Sequence, residues 1–153
     1  MDYIIIMKVS EATRAARRKQ TDEIFTPIPL INKILDQLSD LWQVDKTFLD
    51  NSCGNGNFLI EIYKRKVDIL HFDPIESLKS IYGVELMADN VQECRHRLVE
   101  LAVSYNVDEN VARKIVERNI VCHDALTYDY EFADPDDKPK SAFLSSWGNG
   151  KDS

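Results

Sequence analysis

Short apolar runs and stretches of helical spacing take turns along this chain. After the punctuation Thr26-Pro27-Ile28-Pro29, residues Leu30, Ile31, Ile34, Leu35 and Leu38 recur with helical period and predict an amphipathic helix over Pro29–Leu41. Thr47-Phe48-Leu49-Asp50 reads as a short strand ending in an acid. It runs into Asn51-Ser52-Cys53-Gly54-Asn55-Gly56-Asn57, whose Gly and Asn content marks a loop. Phe58, Leu59, Ile62 and Tyr63 restart the helical period, and Lys64, Arg65 and Lys66 fall in its last turn, where the helix dipole favours cations. Residues 67–80 form an irregular excursion around Pro74, with a short helix at Ile75–Lys79. Ser80–Glu85 is a second strand ending in an acid. Met87–Tyr105 carries the longest helical pattern, and Asp108 is suited to cap a further helix through Arg118. Asn119–Cys122 is a third strand, followed by His123-Asp124-Ala125-Leu126.

This order divides the chain into an arm at 1–20 (with a helical turn around Glu11–Arg18), a folded domain at 21–132 and a polar tail at 133–153. Ala142-Phe143-Leu144 predict a short fourth strand at 141–145 in that tail. Strand, helix, strand, helix, strand is the pattern of an α/β open parallel sheet. Ligands of such sheets bind beyond the carboxyl ends of the strands. The three strands end at Asp50, Glu85 and, two residues past the last, Asp124, so three carboxylates are expected on one edge.

Composition narrows the class without changing that picture. The 153 residues suffice for one domain with a real core, and 44% hydrophobic with 29% charged residues is the balance of a soluble globular protein rather than a disordered one. No apolar stretch has the length to cross a bilayer. The apolar Met1–Met7 segment is short and lacks the basic leader of a secretory signal, and Met7 is an equally good start. Cys53, Cys94 and Cys122 lie far apart with no Cys-x-x-Cys spacing, as expected of reduced thiols in a cytoplasmic protein. Cys94 and His96 do not share a helix face, and no metal site is expected. The net charge of −7 argues against stand-alone DNA binding, which needs clustered cations. Arg14, Arg17, Arg18 and Lys19 crowd together, either as a solvated arm or as a contact for phosphate.

The glycine loop admits several readings. Gly54 and Gly56 carry no Cβ and let backbone approach a ligand. The helix behind them presents free N–H groups and partial positive charge. A dinucleotide pyrophosphate or a methionine carboxylate fits that description, as does a purely structural turn. Glu85 is placed to accept both ribose hydroxyls of a nucleotide, or is simply an exposed strand-end carboxylate. The nicotinamide reading is weakened because Leu59 stands where Gly-x-Gly-x-x-Gly requires its third glycine.

Taken together, Phe25-Thr26-Pro27, Phe48-Leu49-Asp50-Asn51-Ser52-Cys53-Gly54-Asn55-Gly56-Asn57-Phe58-Leu59, Tyr82-Gly83-Val84-Glu85-Leu86 and Asn119-Ile120-Val121-Cys122-His123-Asp124-Ala125-Leu126 resemble the N6-adenine DNA methyltransferases. The order, cofactor motifs before the catalytic one, is similar to that of type I restriction-modification subunits and related type II enzymes, and the match runs from about Thr21 to Leu126. The resemblance implies a Rossmann-like open parallel sheet with flanking helices, truncated relative to the full seven-stranded methyltransferase fold, and S-adenosylmethionine as cofactor. It implies that Phe25, Thr26 and Pro27 contact the methionine end. Asp50 and Gly54 would hold the amino and carboxylate groups, in a turn that includes Cys53 and Gly56, with Asn57 and Phe58 close by. Glu85 would take the ribose, Leu86 the adenine face, Asp124 the adenine amino group and Ala125 a backbone bond.

Two departures stand out. Asn51 replaces the family's usual proline, freeing one N–H. The family's catalytic Asn/Asp-Pro-Pro-Tyr/Phe, which holds and stacks the flipped base, has no counterpart after Leu126; Ser145-Ser146-Trp147 occupies its place. Two functions are therefore expected to compete: a methyltransferase subunit or fragment completed by another chain, and a non-catalytic module that binds S-adenosylmethionine or docks to a partner. Cofactor breakdown and nicotinamide binding trail behind. In the shortened sheet Thr47–Asp50 would expose an unpaired edge, expected to be covered by Ser141–Trp147 or by a second subunit, whether another protein or a second copy of this chain.

Overall fold

The computed structural model describes residues 3–5, 26–38, 42–43 and 46–132. Four strands, β1 (Tyr3–Ile5), β2 (Thr47–Asp50), β3 (Ile81–Glu85) and β4 (Ile120–Cys122), form one sheet in the order β1-β2-β3-β4 with every neighbour parallel. The helices are α1 (Ile28–Asp36), α2 (Asn57–Lys64), α3 (Pro74–Lys79), α4 (Ala88–Ser104) and α5 (Glu109–Asn119). The fold is thus mixed α/β with a small parallel sheet, as the alternating pattern predicts. Among the described residues no helix is long and apolar enough to cross a membrane.

Strand side chains alternate between faces, and the register divides them cleanly. Phe48 lies opposite Ile81 and Gly83 opposite Ile120. On that face Phe48, Ile81 and Ile120 join one buried cluster with Ile31 and Leu35 of α1, Leu59 and Ile62 of α2, Leu98 of α4 and Val116 of α5. Leu49, Tyr82 and Val84 point the other way. There they meet no described helix but the rings of Tyr128 and Phe132. The segment after Asp124 folds back to make this cover. Tyr128 Oη accepts the Phe132 N–H at 3.0 Å, and Tyr130 Oη donates to the Ala125 carbonyl at 2.7 Å. Tyr130 and Phe132 take left-handed backbone angles, φ 58° and 50°, a conformation bulky residues adopt only when packing over-determines it.

Three features differ from expectation. The edge of β2 that was expected to lie open is occupied by the chain itself: Tyr3–Ile5, counted in the arm, pairs with Thr47–Leu49, and Ile4 packs on the main cluster. β2 therefore needs neither a second subunit nor the tail for its backbone bonds; Ser141–Trp147 and the fourth strand at 141–145 lie outside the described residues. Helix α1 stops at Asp36 instead of running to Leu41, because the Gln37 and Leu38 N–H groups close back on Ile34 and Leu35 carbonyls three residues earlier. Lys66, expected in the last turn of α2, lies beyond it and is 1% exposed. α2 passes into a π-helical turn, Arg65–Ile69, that swings Lys66 inward. Its Nζ donates to the Lys46 carbonyl at 2.8 Å and to Ser80 Oγ at 2.6 Å, binding the amino ends of β2 and β3 together. The two Asp caps behave as expected for their type: Asp108 accepts from Asn110 and Val111 N–H, and Asp73 does the same for α3.

Candidate functional site at the carboxyl edge of the sheet

Because all strands run parallel, their carboxyl ends share one edge, and the loop after β2 closes along it. The Cys53 N–H donates to the Val84 carbonyl at 3.1 Å, laying the loop beside the end of β3. The next N–H, of Gly54, donates to Glu85 Oε1 at 3.0 Å. Glu85 Oε2 accepts from the Met87 N–H at 3.0 Å and from Asn90 Nδ2 at 3.3 Å. Glu85 is 3% exposed, and Asp50, whose Oδ1 accepts the Ser52 N–H at 3.0 Å, is 2% exposed. Two buried carboxylates thus flank the glycine turn, and backbone and amide N–H groups donate to them. Glu85 is not the open acceptor that the sequence suggests, since the protein already supplies it three donors.

The glycines divide by role. Gly54 and Gly56 both have positive φ, 54° and 97°. A Cβ on Gly56 would lie 2.7 Å from Cys94 Sγ, so this glycine lets the start of α2 sit against α4. Cys53 is buried beneath the turn, and a Cβ on Gly83 would lie 2.8 Å from its Sγ. A hydrogen bond to Cys94, then burial, then the negative charge of Asp50 and Glu85 hold the Cys53 thiol well above the usual range for cysteine. All three cysteines are free.

Thr26 reaches the turn, its carbonyl accepting from Asn57 Nδ2 at 3.1 Å; Pro27 precedes α1 as its N-cap residue, and Phe25 lies outside the described residues. Arg97, on α4, braces the loop from behind, donating to the Asn55 carbonyl at 2.9 Å and to Asn57 Oδ1 at 2.8 Å. No side chain caps α2, which starts directly after Gly56. Phe58 is buried in the core. Leu86, Met87 and Leu126 form exposed apolar positions where β3 and β4 leave the sheet, Leu126 at 80% exposure.

Asp124 shares the edge but not the cluster. The His123 N–H donates to the Glu85 carbonyl at 3.0 Å, continuing the β3–β4 pairing up to the acid. The Asp124 carboxylate then turns to its own backbone, accepting the Leu126 N–H at 2.9 Å. Ala125, half-buried, is held through its carbonyl by Tyr130. His123 stacks on Tyr128 with ring centroids 4.6 Å apart.

Sequence reasoning missed Gly83 as a packing glycine, Asn90 and Arg97. Gly83 had a signal, a glycine in an otherwise apolar strand. Asn90 and Arg97 had none, being polar residues on a helix whose partners lie in distant loops. No protein-family model, curated protein or solved structure matches this chain.

Proposed function

We propose that this chain is an S-adenosylmethionine-binding domain of the N6-adenine DNA methyltransferase kind, built on a Rossmann-like sheet. The observation that carries the reading is the glycine turn closed onto Glu85, with Asp50 beside it, at the carboxyl edge of a parallel sheet. The donor inventory separates this cofactor from a dinucleotide. A pyrophosphate needs several free loop N–H groups. Here Ser52, Cys53, Gly54 and Gly56 N–H all bond to protein acceptors, and two of those acceptors are carboxylates. A doubly anionic ligand would meet like charge, whereas S-adenosylmethionine brings a sulfonium and an ammonium. Its carboxylate suits the uncapped first turn of α2. Leu86 and Leu126 are apolar enough to line an adenine.

The residues fit the cofactor; the reaction asks for more. When bound, the cofactor supplies an activated methyl group, and transfer to adenine N6 depends on aligning the attacking amine. The 153 residues contain no Asn/Asp-Pro-Pro-Tyr/Phe tetrapeptide. The reading therefore gives this chain the binding and orientation of the cofactor and gives the base to residues of a partner chain acting on DNA. The second reading is a module that binds the cofactor without transferring its methyl.

Calorimetry tests the first claim. S-adenosylmethionine is expected to bind the wild type, to bind Glu85→Gln at least about tenfold more weakly, and to outcompete NAD. Equal affinity for both proteins, with unchanged circular dichroism, removes Glu85 from the site. Incubation with labelled cofactor and adenine-containing DNA separates the two readings: incorporation only with a partner chain supports the enzyme, and none under any pairing supports the module.

A further inference from the structure

Arg97 stands in the middle of α4, and among the described residues it pairs with no carboxylate. Its Nη1 donates instead to two neutral oxygens where the glycine turn enters α2: the Asn55 carbonyl at 2.9 Å and Asn57 Oδ1 at 2.8 Å. Asn55 lies between Gly54 and Gly56, both at positive φ, so its peptide sits in the stretch with least restraint of its own. Asn57 is the first residue of α2. With Oδ1 turned to Arg97, its amide points Nδ2 at the Thr26 carbonyl, 3.1 Å away. A cation can only donate, so Arg97 fixes which way that amide faces. Through it the segment before α1 is tied to the turn. The other end of the turn is held by the Gly54 N–H on Glu85.

We propose that Arg97 is a positioning residue for the candidate cofactor site: without touching the ligand, it holds the glycine turn and the Asn57 amide in the shape that binds an adenosyl cofactor, and so sets the affinity. A turn already fixed by the protein gives up little freedom when a ligand arrives, whereas a loose one is ordered only on binding, which weakens it. Two adjacent glycine positions make that difference large. Bonds from a guanidinium are charge-assisted and directional, and a lysine at this position would keep the charge without the planar geometry. The inference rests on the cofactor reading above and deepens it, because Arg97 acts on the site from a helix that the motifs do not include.

Calorimetry with S-adenosylhomocysteine tests it on the full chain as wild type, Arg97→Gln, Arg97→Lys, Asn57→Ala and the double variant carrying Arg97→Gln and Asn57→Ala. Val116→Ala, in the core on α5, is the control for stability alone. Urea unfolding accompanies each protein, and titrations are made where all are folded. Arg97→Gln and Asn57→Ala are each expected to bind about tenfold more weakly, and the double variant no more than about threefold below the weaker single one, because both changes open the same latch. Arg97→Lys is expected to recover affinity to within about threefold of wild type. Val116→Ala is expected to unfold at lower urea and to bind as wild type does. An Arg97→Gln protein with wild-type affinity, or a double variant weakened by the product of the two single losses, overturns the proposal and leaves the cofactor reading standing. So does a Val116→Ala protein that loses as much affinity as Arg97→Gln, since the loss then follows stability. A wild type that binds no S-adenosylhomocysteine overturns both.

Discussion

Replacing Gly56 by alanine separates packing from ligand approach as the reason for this glycine. With φ at 97°, any residue bearing a Cβ is strained there, at a cost of roughly 1–2 kcal/mol. The new methyl would also lie 2.7 Å from Cys94 Sγ, inside contact distance, with the Cys94 Cβ at 3.3 Å. Overpacking of this kind costs about 1–3 kcal/mol. Gly56→Ala is therefore expected to lose roughly 2–5 kcal/mol, a large part of the ~5–15 kcal/mol typical of a domain. Cys94→Ala removes the offending sulfur from a fully buried site, at about 1–2 kcal/mol for one lost heavy atom. In the double variant the overlap with sulfur vanishes, leaving the backbone strain and a 3.3 Å approach to the Cβ at position 94. Urea unfolding of the four proteins measures the coupling, expected at about 1–3 kcal/mol in favour of the double variant. Costs that simply add, to within ~0.5 kcal/mol, would refute the claim that Gly56 exists to admit Cys94.

Two further expectations concern titration and reactivity. Cys122 is exposed while Cys53 and Cys94 are buried, and the Cys53 thiol is held above its usual range; a thiol-specific chromophoric disulfide should find one fast-reacting cysteine in the native protein and three after unfolding, and two fast thiols would contradict the buried pair. Burial raises the phenols of Tyr63, Tyr82, Tyr105 and Tyr128, that of Tyr128 to about 12. These groups ionise more readily when unfolded, so their contribution is complete below the unfolded value of about 10 and is lost as pH rises from there through the folded values. The urea midpoint should fall above about pH 10, and a midpoint unchanged into that range would show that these phenols are not protected.

The sequence carried the periodic parts of this fold. β2, β3 and β4 and the helices that follow β2 and β3 were legible because each holds an apolar pattern of the right period, and the cap Asp108 obeys local chemistry. The turn between β2 and α2 was legible as a turn, and the gathering of Asp50, Gly54 and Glu85 followed from parallel strands. What failed depends on contacts across the chain. Ile4 sits in an apolar run too short to show a period, and only its pairing with Phe48 makes it a strand residue. Lys66 falls in the register of a solvated helix end, and the π turn that buries it depends on Lys46 and Ser80. Gly56 and Cys53 carry motif positions whose packing role is visible only once α4 is in place. The bond from the Leu126 N–H to Asp124 is local chemistry of another kind, an Asp closing a turn on its own chain.

The aromatic strap over the second sheet face ties the candidate site to the integrity of the domain. Tyr128 and Phe132 are what shield Leu49, Tyr82 and Val84, and the strap begins at Asp124 and Ala125, its Tyr128 N–H anchored on the Asp124 carbonyl and its Tyr130 on that of Ala125. A fragment ending at Leu126 would keep every motif residue of the edge and still strip three large side chains of their cover. The working unit of this chain therefore extends at least to Phe132, where the clasp that keeps water off the far side of the sheet closes on Tyr128.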